Sequence, residues 1–195
     1  MNSGSVPAGP ARRPRPRWME DAERLDHAVY AAIARTPSPS IDQTMARLSP
    51  AADYGRLSIA TATVLAAAGG RTGRRGALSG LAALGATATV VNAVVRPLGR
   101  RRRPDVSERQ ESRYVRLPSS RSFPSGHSAG AFAFATGVAH VMPRTGVALR
   151  GLAALVAYSR VHTGVHYPVD AMAGALLGTA IAQLTSHALA RREAR

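Results

Sequence analysis

The chain has 195 residues, enough for one domain, with 26 basic residues against 11 acidic ones and a formal net charge of +15. Every basic residue is arginine and cysteine is absent, which excludes disulfides and thiolate metal sites. Such an excess of positive charge reads as solvated surface or as attraction to nucleic acid, acidic lipid or a phosphorylated substrate. The mean hydropathy of -0.08 averages two unlike populations. Arginines crowd the N-terminal tail and the connections, whereas long Ala, Val, Leu and Gly runs carry almost no charge. That segregation predicts membrane spans rather than a soluble core.

Residues 1–19 read as a disordered basic tail, rich in Pro, Gly, Ser and Arg and without the apolar run of a secretory signal. Trp18 suits either an interfacial anchor or packing on a neighbouring helix. From Glu20 to Arg35, Leu25, Val29 and Ile33 recur at helical spacing among charges, the pattern of an amphipathic helix. Thr36-Pro37-Ser38-Pro39-Ser40 ends it, and a second short helix is expected from Ile41 to Leu48, capped by Ser40. Neither is long or apolar enough to span, so both are expected on the membrane surface.

Five candidate spans follow: Leu57–Gly70, Gly76–Val95, Ser128–Met142, Val147–Tyr158 and Asp170–Leu189. The second has about the length a bilayer requires, the first and third are short, and the fourth is the weakest, interrupted by Arg150. Gly80, Ala83, Gly174 and Gly178 are the small residues that close helix packing in lipid needs. The expected fold is therefore all-α, an integral-membrane helical bundle of about five spans plus an N-terminal amphipathic helix, formed by residues 20–195. Arg71–Arg75 and Pro143–Gly146 read as short basic loops on one membrane face. Pro97–His127 and Val161–Val169 share the opposite face and hold nearly all the unusual polar chemistry.

Three clusters stand out there. The first runs from Arg96 to Pro104, the second is Phe123-Pro124-Ser125-Gly126-His127-Ser128, and the third runs from Ser159 to Asp170. Guanidinium groups match phosphate oxygens bidentately and stay charged. The turn at Ser125-Gly126 opens an apolar run, where unpaired amide groups favour an anion. His166 and Asp170 are four residues apart, so a helical turn near Pro168 would let the carboxylate orient the imidazole. These are the parts of a phosphoryl-transfer site that needs no metal. His162 and His166 also have the spacing of a metal-binding pair, but Gly164 and Pro168 argue against the rigid helix such a pair requires. Arg101 and Arg102 read as solvated charge, and His27, His140 and His187 as structural.

Arg96-x6-Arg103-Pro104, Pro124-Ser125-Gly126-His127 and Ser159-Arg160-x5-His166-x3-Asp170 resemble, in order and spacing, the three signature motifs of the type 2 phosphatidic acid phosphatase (PAP2) superfamily. The resemblance covers roughly Ala51 to Leu184. It implies a membrane helical bundle that hydrolyses a lipid phosphomonoester or diphosphate without a cofactor, through a phosphohistidine. It further implies His166 as nucleophile, Asp170 as the group that orients it, and His127 as the acid that protonates the leaving oxygen and then activates water. Arg96, Arg103, Ser125, Gly126 and Arg160 would hold the phosphate. Arg96 stands where the family usually has lysine, which keeps the charge but widens its head. The implied partners are a lipid phosphate and the bilayer, with no nucleic acid. The expected location is the plasma membrane, multi-pass; the short arginine loops favour the cytoplasm and so an extracytoplasmic site, although five spans would then leave the basic tail outside too unless the Glu20–Arg35 helix re-enters the membrane. Two other readings are a vanadate-haloperoxidase-like oxyanion site and a non-catalytic basic membrane protein that binds anionic lipid or nucleic acid. Charge alone does not account for His127, His166 and Asp170 at this spacing.

Overall fold

A computed structural model describes residues 16–99, 101–105 and 113–193. Arg100 and the tail through residue 15, both part of the readings above, lie outside them. The described residues form helices and no strand. In order these are α1 (Arg17–Arg35), α2 (Pro39–Ala51), a 3-10 turn (Asp53–Gly55), α3 (Arg56–Ala68) and α4 (Gly70–Val90). A π turn (Val91–Val95) joins α4 to the single turn α5 (Arg96–Leu98), and α6 (Gly126–Val141), α7 (Pro143–His162) and α8 (Pro168–Glu193) complete the chain.

Helix α6 is the hub, packed against α4, α7 and α8. Its inward side is built from small residues, and Ala129, Ala133, Ala135 and Val138 are almost wholly buried. Glycines let its neighbours approach to backbone distance. A Cβ at Gly178 would collide with the Ala129 carbonyl, and one at Gly174 with the Ser125 carbonyl. On the other side a Cβ at Gly80 would stand 2.7 Å from the Phe134 ring. Ala83, Ala133 and Ala182 meet where α4, α6 and α8 converge.

Two expected loops are helical. Arg71–Arg75 forms the first turns of α4, and the link from α3 is only Gly69, with Gly70, the first residue of α4, at φ 57°. Arginines tolerate this position because their long stems reach past the helix end; Arg74 Nε donates to the Ala66 carbonyl of α3. Pro143 opens α7 at its first helical position, so Pro143–Gly146 is helix as well. Helix α7 is thereby 20 residues long rather than the short Val147–Tyr158 segment.

Gly70–Leu98 is one 29-residue helical run, and by length and composition it is long and apolar enough to cross a membrane. Among the described residues it alone meets that standard, so the structure does not by itself establish five spans. Helices α3 and α6, with 13 and 16 residues, are short for a crossing. Yet Val64, Leu78, Val147, Met172, Leu176 and Leu184 are all exposed on α3, α4, α7 and α8, giving the bundle an apolar outer surface.

The N-terminal helices differ most from expectation. Helix α1 begins at Arg17, and Trp18 is 70% exposed, so it does not pack on a neighbouring helix. Helix α2 starts at Pro39 with Ser38, not Ser40, at its N-cap position. Both dock on the loop end of the bundle: Tyr30 and Ala34 of α1 pack with Val161, Tyr167 and Ala171, and α2 packs against α7. Arg113, fully buried, bonds Asp42 at 2.9 Å and the Ile33 carbonyl at 2.7 Å, and also reaches Thr36 O and Ser38 Oγ. It thus ties the end of α1 to α2. His162, the other half of the considered metal pair, bonds the same Asp42 oxygen at 2.8 Å and Tyr158 at 3.2 Å.

The glycine contacts lead to a contrast between two substitutions. Gly178→Leu is expected to lower stability by about 1–3 kcal/mol, the usual cost of overpacking. Gly151→Ala, where a Cβ meets nothing within 4 Å, is expected to be neutral or to stabilise by up to about 1 kcal/mol. Thermal unfolding of the detergent-solubilised protein measures both.

Candidate active site

The three motif segments converge at the end of the bundle where α6 and α8 begin. Pro168 starts α8 and puts Asp170 in its first turn, with His166 just before it in the link from α7. Asp170 is fully buried. Its carboxylate accepts from the Tyr167 amide at 3.1 Å, from Arg101 at 3.1 Å and from the Ser122 hydroxyl. His166 Nδ1 stands 3.8 Å from Asp170 Oδ2, an ion-pair separation rather than a hydrogen bond. Ser122 Oγ lies 3.4 Å from Nδ1 and bridges the two.

The tautomer follows from the other ring nitrogen. His166 Nε2 faces Arg103 at 3.3 Å, and a guanidinium only donates. Nε2 therefore carries the lone pair and Nδ1 the proton, directed toward Ser122 and Asp170. Burial lowers the His166 pKa, opposed by Asp170 and reinforced by the Arg103 charge. The ring is a neutral nucleophile held by its far side.

Arg103 is anchored by Val165 O at 2.7 Å, Ser120 O at 2.9 Å and Ser120 Oγ at 3.1 Å. Burial, then the nearby charge of Arg96, pulls its pKa down to about 10. Positive charge is therefore crowded here. Arg96 follows the π turn and bonds Asn92 at 2.8 Å, and its Nε is buried with no partner among the described residues. A Cβ on Gly126 would stand 2.7 Å from Arg96 Nη2, so glycine is what lets that guanidinium reach the turn. Arg160 is 2% exposed; it bonds Ser49 at 2.8 Å and Asp53, and its Nε also lacks a partner.

Not every expected residue has the expected position. Ser125 is fully buried, and its hydroxyl oxygen accepts from the Ser128 amide at 3.3 Å and the Ser128 hydroxyl at 3.0 Å. It caps α6 rather than opening toward the cavity. Arg101 is not solvated charge: it bonds Asp26 at 2.5 Å and Asp170 at 3.1 Å, and its head lies 4.3 Å over the Tyr167 ring. Arg102 is exposed as expected. His27 stacks on Tyr167 at 4.5 Å, and His140 meets His187 edge-on at 5.6 Å, away from the site. Sequence reasoning missed Asn92, Ser122, Asp26 and Asp53. His127 Nε2 bonds Asp53 Oδ1 at 2.8 Å. The only local hint was an acid beside a Tyr-Gly turn, just before an apolar run.

A cavity of about 740 Å³ opens over these groups. Asp53, Arg96, Arg103, His127 and His166 line one part of it, and Leu57, Leu84, Phe134, Leu149, Leu152 and Val156 line another. One end suits an anion and the other a hydrocarbon chain.

Residues 76–194, more than half the chain, match the PAP2 superfamily. The chain belongs to that superfamily. Two lipid A 1-phosphatases, from Rhizobium johnstonii and Rhizobium etli, are each 41% identical to it over 70 residues, 36% of this chain. The chain therefore covers only 29% and 30% of those relatives' length. LpxE of Aquifex aeolicus superposes with a TM-score of 0.64 at 24% identity, covering 83% of this chain and 94% of its own. The first transmembrane PAP2-type phosphatidylglycerolphosphate phosphatase structure from Bacillus subtilis gives 0.67 at 22% identity, covering 88% and 87%. The bundle thus shares its fold with these two structures.

The electrostatics of His166 give a direct expectation. In a histidine NMR titration its ring should be mostly neutral at pH 6.5, where a solvated imidazole is half charged. Half-protonation at or above pH 6.5 would show that burial does not govern this ring.

Proposed function

We propose that this chain is a multi-pass membrane phosphatase that removes phosphate from a lipid phosphomonoester or diphosphate through a phosphohistidine on His166. The observation that carries the reading is the two-part cavity. Two histidines gather with Arg96 and Arg103 at one end, where Arg96 Nε has no partner among the described residues, and Arg160, whose Nε also has none, stands behind the lining residue Asp53. Buried unpaired donors are costly, and a phosphate would supply the missing acceptors. The names of the Rhizobium and Bacillus relatives support the substrate class, a lipid bearing a phosphate. Among such lipids, phosphatidic acid, phosphatidylglycerol phosphate and polyprenyl phosphates all present a phosphate beside a hydrocarbon chain.

In the proposed reaction His166 Nε2 attacks phosphorus and the bond to the lipid oxygen breaks. His127 gives that oxygen a proton, so the lipid leaves as an alcohol from a monoester and as a monophosphate from a diphosphate. Water then attacks the phosphohistidine; His127 takes its proton, the P–N bond breaks and inorganic phosphate leaves. Arg103 and Arg96 stabilise the charge that spreads over the phosphoryl oxygens, and the Gly126 amide at the start of α6 adds a donor. Arg160 acts from behind through its charge and Nε. Ser122 and Asp170 hold the proton on His166 Nδ1 and favour the cation formed during attack. Phosphate release from a long-chain alkyl phosphate is expected to persist in excess EDTA, and His166→Ala is expected to lower it at least about a thousand-fold. No release by the folded wild-type protein, or release abolished by EDTA, would defeat the proposal.

The active site is assigned to the extracytoplasmic face. Support comes from Arg71, Arg74, Arg75 and Arg144 at the starts of α4 and α7, with Arg191 near the end of α8, all at the end remote from the site. The chain has no cysteine, so single cysteines report without background. A membrane-impermeant maleimide on intact cells should label Ser119→Cys and not Thr72→Cys; the reverse pattern would invert the orientation.

A further inference from the structure

Asp53 lies on the turn between α2 and α3, before the residues 76–194 that match the superfamily. Its Oδ1 is the meeting point of two groups from the signature motifs: His127 Nε2 at 2.8 Å and an Arg160 terminal nitrogen. The backbone is unusual here. Tyr54 has φ 55° and Gly55 φ 71°, two consecutive left-handed residues, a conformation that a bulky side chain rarely adopts. The Tyr54 side chain is 88% exposed and gains no burial from it. What the turn achieves is the placement of Asp53 at the cavity wall, beside His127. Ser49, four residues earlier and fully buried, takes the other Arg160 nitrogen at 2.8 Å and lies 3.3 Å from Thr163. The end of α2 is thereby fixed against the same arginine.

We propose that Asp53 is a positioning residue for His127, so that the site contains two histidine–carboxylate pairs, one for the nucleophile and one for the proton donor. This rests on the phosphatase reading above, in which His127 protonates the leaving oxygen. Asp53 fixes one ring nitrogen and stabilises the imidazolium, which leaves the other nitrogen for the substrate. The Arg160 ion pair fixes the carboxylate in turn. The nucleophile's pair lies within the family-matched segment; the acid's pair is completed from outside it.

The role is tested by how strongly the leaving group needs a proton. The quantity is kcat/KM, which covers every step through departure of the leaving group. The substrates are a long-chain alkyl phosphate, whose alkoxide must be protonated, and an alkyl-substituted 4-nitrophenyl phosphate, whose phenolate need not be. Asp53→Asn is expected to lower kcat/KM for the alkyl ester about 10- to 100-fold and for the aryl ester less than about threefold. His127→Ala is expected to show the same bias, more strongly. The two esters are compared within one preparation, so the ratio does not depend on how much of a variant is folded. Equal losses on both esters would show that Asp53 only holds structure, and no loss on either would remove it from the mechanism; both overturn the proposal. No release from either ester by the folded wild-type protein would instead overturn the phosphatase reading, independently of Asp53, and full activity in His166→Ala would overturn its phosphohistidine step.

Discussion

Three stretches of chain, far apart in sequence, close on the buried side of Asp170. Its carboxylate takes the Ser122 hydroxyl, the Tyr167 amide and the Arg101 guanidinium, and its carbonyl accepts from the Ser125 amide at 3.0 Å. A carboxylate with no exposure would be costly alone. Surrounded by donors, it becomes the point at which the loop before α6, the link after α7 and the first turn of α8 are joined. His166 is placed by this joint and not by Asp170 alone, since the direct separation is 3.8 Å.

The same logic extends outward in matched charges. Arg101 shares itself between Asp170 and Asp26 of α1. Arg160 is held by Ser49 and Asp53, and Arg113 with His162 converges on Asp42. Buried ion pairs add little net stability, because desolvation offsets the attraction, but removing one partner costs about 3–5 kcal/mol. Their role here is geometric. They dock α1 and α2 against the ends of α7 and α8, while the glycine-lined contacts of α6 hold the bundle together behind them.

The signature residues were legible because the chemistry constrains local spacing: His166 and Asp170 flank one turn, and Arg96 and Arg103 one short connection. The helical class was legible from apolar runs. Helix limits were misplaced where arginines sit in a first turn, because hydropathy drops at Arg71–Arg75 although the backbone continues as helix. Ser125 looked like a phosphate ligand because a turn serine and a cap serine share one sequence signal. Asp53, Asn92 and Ser122 carry no such mark. Asp53 meets its histidine across 74 residues, and only the packing of α2 against α7 and of the 3-10 turn against α6 brings them together. The amphipathic pattern of α1 set Leu25, Val29 and Ile33 on one face, yet Leu25 and Val29 are exposed and the buried positions are Asp26, Tyr30 and Ala34, with Asp26 bonded to Arg101 and the Val169 amide.

The way Arg113 closes the gap between α1 and α2 bears on how the chain responds to substitution. It reaches carbonyl groups at the end of one helix, a carboxylate on the next and, through that carboxylate, His162 of α7. Asp42 is the shared partner: loss of its carboxylate would strip both Arg113 and His162 of their common acid, whereas loss of either of those leaves the other still bonded to it. The three lie in separate segments, and His162 is surrounded by signature residues without being one of them. The part of the chain that carries the motifs does not neutralise its buried cations by itself: they depend on acids contributed by the first two helices and the turn after them.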